Sequence, residues 1–133
     1  MANINLKIII ADPSVIVRGG LELLLKRIPG FRIQIVEVGG LESLHDTLRL
    51  NKPDVLLVNP TMIGGILLSN LKEECGCPSM RCIALVYSIF EHTRLRAFDE
   101  QITIYDSADE IRHKLERLNT EEVASVEEID EQQ

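Results

Sequence analysis

Apolar residues come in short bursts along this chain, and the bursts alternate between two spacings. The first, "LKIIIA" over residues 6–11, is β-branched and nearly continuous, the pattern of a strand buried on both faces. Asp12, Pro13 and Ser14 then open a helix that runs through Ile28, where "PG" at 29–30 stops it. "FRIQIVEV" (31–38) alternates as a more exposed strand does, and "GGLESLHDTLRLN" (39–51) carries Leu41, Leu44 and Leu48 at helical spacing. The run "DVLLVNP" (54–60) is a third strand that ends abruptly at Asn59 and Pro60. Beyond Gly64 and Gly65, "ILLSNLKEE" predicts a helix, "RCIALVY" (81–87) a fourth strand and "FEHTRLRAF" (90–98) a short helix. "ITIY" (102–105) predicts the fifth strand. "SADEIRHKLERL" (107–118) closes as a helix with a capping box at Ser107 and Glu110, and with Ile111, Leu115 and Leu118 along one stripe.

Strands and helices that alternate in units of about 20 residues imply a doubly wound parallel sheet, an α/β architecture of the flavodoxin-like (CheY-like) kind with order 2-1-3-4-5 and five helices. In that order the switch point lies between the first and third strands, at their C-terminal ends. Asp12 and Asn59 occupy those ends, so the topology sets them opposite one another. The position is where open α/β sheets place their chemistry, yet an amide stands where a carboxylate could act.

At 133 residues and 15.0 kDa, with 45% hydrophobic residues, the chain suffices for one globular domain. No apolar run nears the ~20 residues of a membrane span, and "MANINLK" lacks the regions of a signal peptide, so a cytoplasmic location is expected. The formal net charge is −7, and most of it lies after Asn119 in a tail rich in Asp and Glu and free of Lys and Arg. Basic residues elsewhere are scattered, which excludes the clustered positive surface that nucleic acid requires of this chain by itself. The cysteines, Cys75, Cys77 and Cys82, are odd in number and read as reduced thiols. "CGC" could offer two metal ligands, but His45, His92 and His113 show no partner spacing, so no metal and no cofactor is expected.

Four segments in order, "IIIADPSVIVRGGLELLL", "PDVLLVNPTMIGG", "RCIALVYS" and "ITIYDSADEI", resemble the receiver domain of bacterial response regulators. The first resembles the LuxR/NarL-type subfamily, whose members typically read "I-A-D-D-x-x-x-V-R-x-G-L" there. The likeness covers residues 4–118. It implies a domain that transfers a phosphoryl group onto its own aspartate, with a divalent metal held by acids and with a hydroxyl and an ammonium beside the phosphoryl oxygens. Here the acid pair of the first strand is Asp12 and Pro13, and the acceptor position is Asn59. The hydroxyl position falls on Val86 and the lysine position on Tyr105. An amide is a feeble nucleophile, one carboxylate is a poor magnesium site, and neither Val86 nor Tyr105 brings the group required.

The sequence thus reads as a degenerate receiver, a phosphorylation-independent regulatory and dimerisation module. The body is 1–118, and 119–133 is an acidic linker that the resemblance would lead into a helix-turn-helix DNA-binding domain. Two other readings stay open: phosphorylation at Asp12 or another non-standard residue, and a small-ligand or nucleotide binder at the switch point. Flavin mononucleotide would need a hydroxyl-rich phosphate loop after the first strand, where "ADPSVIVRGG" offers only Ser14. Asp12 is read as a helix-start carboxylate in preference to a remnant metal ligand, and Gly64 and Gly65 as a bend in preference to a phosphate cradle. The first helix is apolar over more than one stripe, through Val15, Ile16, Val17, Leu21, Leu23, Leu24, Leu25 and Ile28. That excess suggests a homodimer built on the first and last helices, with Ile111, Leu115 and Leu118 as its surface on the last; other signalling proteins are alternative partners.

Overall fold

The structure, a computed structural model, describes residues 3–87 and 97–119. Five parallel strands form one sheet: β1 (Ile4–Ala11), β2 (Phe31–Val38), β3 (Val55–Val58), β4 (Arg81–Val86) and β5 (Glu100–Thr103), in the order β2-β1-β3-β4-β5. Helices cover both faces: α1 (Val15–Leu25), α2 (Leu41–Asn51), the single turn α3 (Pro60–Ile63), α4 (Leu68–Glu74) and α5 over 108–119. The fold is thus the doubly wound one with the expected strand order.

Alternation along the central strands divides the core in two. Ile8, Ile10, Leu57, Ile83 and Leu85 point to the side covered by α1 and α5, and Leu25, Ile28, Ile111, Leu115 and Leu118 fill it from those helices. Ile9, Ala11, Leu56, Val58 and Cys82 point to the other side, against Leu44, Leu48, Leu68 and Leu71. Each of these fully buried Leu or Ile side chains contributes about 1.5–3 kcal/mol. One expectation is corrected here. Ile111, Leu115 and Leu118 are all buried in the core, so they cannot form a dimer surface. Their stripe is spent on the sheet.

Several boundaries differ from the periodicity for local reasons. Ser14, not Asp12 or Pro13, caps α1: its Oγ accepts from Val17 N at 3.2 Å, while Asp12 is buried below the helix start. Glu100 and Gln101 enter β5, whereas Ile104 and Tyr105 leave it for a turn. Asp106 closes that turn by accepting from Thr103 Oγ1 and pairing with Lys114. The capping box of α5 is present as a bond from Glu110 N to Ser107 Oγ at 3.1 Å and one from Ser107 Oγ to Glu110 Oε1 at 3.3 Å. Of the helix predicted over 90–98, residues 90–96 lie outside the described residues.

Candidate functional site

The C-terminal ends of β1 and β3 meet as the strand order requires. Asn59 N donates to Ala11 O at 2.9 Å and Asp12 N to Val38 O at 3.1 Å, so the sheet ladder continues one residue past both strands. Backbone pairing therefore aims both side chains into one pocket. Asn59 Nδ2 donates to Asp12 Oδ2 at 3.1 Å. Its other end is used too: Asn59 Oδ1 accepts from Thr61 N at 3.0 Å and from Thr61 Oγ1 at 2.7 Å, which caps α3. Pro60, with no N–H to leave unpaired, sits at the first helical position.

Asp12 is fully buried, and both oxygens of its carboxylate accept hydrogen bonds from protein donors. Oδ1 accepts from Ser14 N at 2.7 Å and from Tyr87 Oη at 2.6 Å, and Oδ2 from Asn59. Arg18 Nη1 donates to the Asp12 carbonyl, and Arg18 Nε pairs with Glu37 at 3.0 Å. Gly39 makes room for this arginine, because a Cβ there would lie 3.0 Å from Arg18 Nη1. Burial, and then the hydrogen bond to Asp12 and its charge, push the Tyr87 phenol up to about 12. Tyr87 therefore stays a donor throughout the physiological range.

Sequence reasoning brought Asp12 and Asn59 together, as observed. It missed Tyr87, whose hydroxyl crosses from the end of β4. Val86, the position given to the hydroxyl, is the last residue of β4 and is buried. The hydroxyl that reaches Asp12 belongs to its neighbour, Tyr87. An apolar strand closing in a tyrosine was the available signal. Pro13 is exposed beside the pocket and brings it no charged group. Tyr105 is 75% exposed in the turn after β5. The lysine that the C-terminal elements do supply, Lys114, is turned to Asp106 and to the Gln101 carbonyl at 2.7 Å.

A divalent cation needs several anionic or carbonyl oxygens free to face it. Asp12 is one carboxylate with both oxygens occupied, and Asn59 presents its nitrogen to it. Among the described residues no group of three or more His, Cys, Asp or Glu stands together as a metal site. The pocket does not fit the metal that the resemblance implies.

No protein-family model and no curated protein matches the chain. Solved structures do. A LuxR-family two-component response regulator from Aurantimonas sp. SI85-9A1 superposes with a TM-score of 0.68 at 20% identity, over 86% of this chain and 84% of that one. The signal receiver domain of the response regulator NarL from Mycobacterium tuberculosis gives 0.69 at 13% identity, over 86% and 96%. RcsB from Salmonella enterica serovar Typhimurium, bound to promoter rprA in the presence of phosphomimetic BeF3-, gives 0.66 at 20% identity, over 84% and 67%. The chain has the response-regulator receiver fold. At these identities the likeness concerns the fold, and the receiver pocket of this chain must be read from its own residues.

Proposed function

We propose that this chain is a phosphorylation-independent receiver-like module that regulates through protein contact, as a dimer, within a transcriptional regulator of the LuxR/NarL kind. The observation that carries the reading is the bond from Asn59 Nδ2 to Asp12 Oδ2. The residue at the acceptor position is an amide, and its nitrogen donates to Asp12, the acid of the first-strand pair. Tyr87 Oη donates to the other oxygen of that acid, which supports a pocket whose one acid is engaged with protein donors. Residues 1–118 form the regulatory body in this reading, and 119–133 an acidic linker toward a DNA-binding domain. The receiver fold supports a regulatory role, and so does RcsB, a structural neighbour seen as two dimers bound to two parallel DNAs.

Intact-mass spectrometry after incubation with acetyl phosphate and magnesium tests it. The mass should stay unchanged, and beryllofluoride should leave the amide NMR signals of β3 in place. Asn59→Asp should also stay unmodified, because Pro13, Val86 and Tyr105 still withhold the metal and phosphate contacts. A stable phosphoryl adduct mapped to Asp12 or its neighbours in the wild type would overturn the reading.

A further inference from the structure

Strands β1 and β2 extend past the rest of the sheet at their N-terminal ends. They pair from Ile4 and Phe31 onward, whereas β3 joins at Val55, opposite Ile8. Helix α2 covers Ile9, Ala11 and Val38 through Leu44 and Leu48, then ends at Asn51 and leaves this corner of the sheet open. In the register Asn5 stands beside Arg32 and Lys7 beside Gln34, polar side chains on the face that carries Ile9 and Val38 further along. With Leu6, Asn51, Lys52 and Asp54 they line a cleft of about 490 Å³. That lies within the ~300–1,000 Å³ usual for small-molecule sites. The cleft sits at the opposite end of the strands from Asp12 and Asn59.

Its charge is unusual for this chain. Twelve Lys and Arg lie among the described residues, and seven of them pair with an acid. Of the five that meet no described acid at that range, three line this cleft: Lys7, Arg32 and Lys52. Lys52 closes α2 at φ +43, the left-handed position that glycine or asparagine takes with least cost, and among the described residues it is the one non-glycine with a positive φ. Its Nζ donates to Cys75 O at 3.3 Å and to Gly76 O at 3.4 Å, which holds the ammonium at the cleft with a third N–H to spare. Asp54 is the acid of the lining, and its Oδ2 accepts from Lys7 N at 2.8 Å, so it is held by backbone and not by a cation. Three cations gathered against one acid repel one another, and an anion between them relieves that repulsion. We propose that this cleft binds a small hydroxylated phosphate ester, with the phosphoryl group held by Lys7, Arg32 and Lys52. The arginine fork meets two phosphate oxygens at once, and the ammonium groups add point charges. Asp54, Asn5 and Gln34 offer acceptors and donors to hydroxyl groups, while Leu6 is the one apolar side chain of the lining, too little for a flat aromatic ring. The site goes beyond the receiver-like reading and does not depend on it.

Amide NMR titration of the whole chain tests the site, with glucose 6-phosphate, ribose 5-phosphate, inorganic phosphate and glucose as probes. Salt at about 0.15 M screens charges that are not held in a site. The two sugar phosphates should give saturable shifts at Asn5, Lys7, Arg32, Gln34 and Lys52, at lower concentration than inorganic phosphate, and glucose should give none. Arg32→Gln and Lys7→Gln should each weaken binding about tenfold, the worth of one charge-assisted hydrogen bond. Both side chains lie outside the core, so amide signals away from the cleft should keep their positions in these variants. Arg49→Gln removes an exposed cation of α2 that pairs with Asp46, and it should leave binding unchanged. Shifts that do not saturate with either sugar phosphate would overturn the site. So would an equal loss of binding in Arg49→Gln and Arg32→Gln, which is the mark of diffuse attraction. Inorganic phosphate binding as tightly as the sugar phosphates would overturn the ester as ligand.

Discussion

Asp12, Asn59 and Tyr87 form a closed set in which each polar atom has a use, and each substitution carries its own expectation. Tyr87→Phe removes a donor from a buried carboxylate, which should cost about 1.5–3 kcal/mol in chemical denaturation near neutral pH. The phenol is held up at about 12 from an ordinary 10, so the folded chain keeps that proton more tightly than the unfolded one. Its stabilising effect is therefore complete below pH 10 and is lost as pH rises from about 10 to 12. Cys82, pushed up by burial to about 11, adds a similar loss beginning lower, so the difference between wild type and Tyr87→Phe across this window isolates the tyrosine. Asn59→Asp replaces a donor with an acceptor 3.1 Å from Asp12. Two carboxylates so close raise the pKa of one of them, and a raised folded pKa means stability present in acid and lost as pH climbs. The variant should melt close to the wild type near pH 4 and well below it near pH 8. Equal deficits at both would show that charge is not the cause. Asp12 and Asn59 were legible as facing residues because strand ends and strand order suffice to place them. Tyr87 was not, since which hydroxyl reaches a pocket depends on side-chain length and tilt across β4.

Among the elements, α1 carries apolar residues on two faces, one packed and one exposed. Leu25 and Ile28 join the core, with Val17, Leu21 and Leu24 packed against it, while Val15, Ile16 and Leu23 stay outside. Glycine in a helix interior costs about 0.5–1 kcal/mol relative to alanine, and Gly20 has open space for a methyl. Gly20→Ala should therefore raise the melting temperature; a lower value would mean that the glycine serves the chain's own packing. The sequence exposed this helix as too apolar for one stripe but could not say which residues were in excess. It also assigned the stripe of α5 to a surface. An apolar stripe looks the same whether the sheet or a partner covers it, and only the position of α5 over Ile83, Leu85 and Ile102 decides that Ile111, Leu115 and Leu118 are core.

At the scale of the molecule, both faces of the sheet are covered by described residues, with Leu118 the last core residue among them. Deleting 120–133 should then shift the melting temperature by no more than about 2 °C, an effect below 1 kcal/mol for a domain of this size; a larger fall would show that the acidic segment contributes to the body. The alternation of buried strands with amphipathic helices was enough to determine the layered fold, the strand order and the meeting of Asp12 with Asn59. Those features follow from burial and chain connectivity, which are written residue by residue. Through its receiver resemblance the sequence also raised the expectation that Asn59, Val86 and Tyr105 stand at the acceptor, hydroxyl and lysine positions. Tertiary structure decided the rest: that Asp12 accepts from Ser14, Asn59 and Tyr87, that α5 spends its apolar stripe inward, and that α1 keeps Val15, Ile16 and Leu23 outward. These depend on distances between side chains far apart in the chain, which only packing sets.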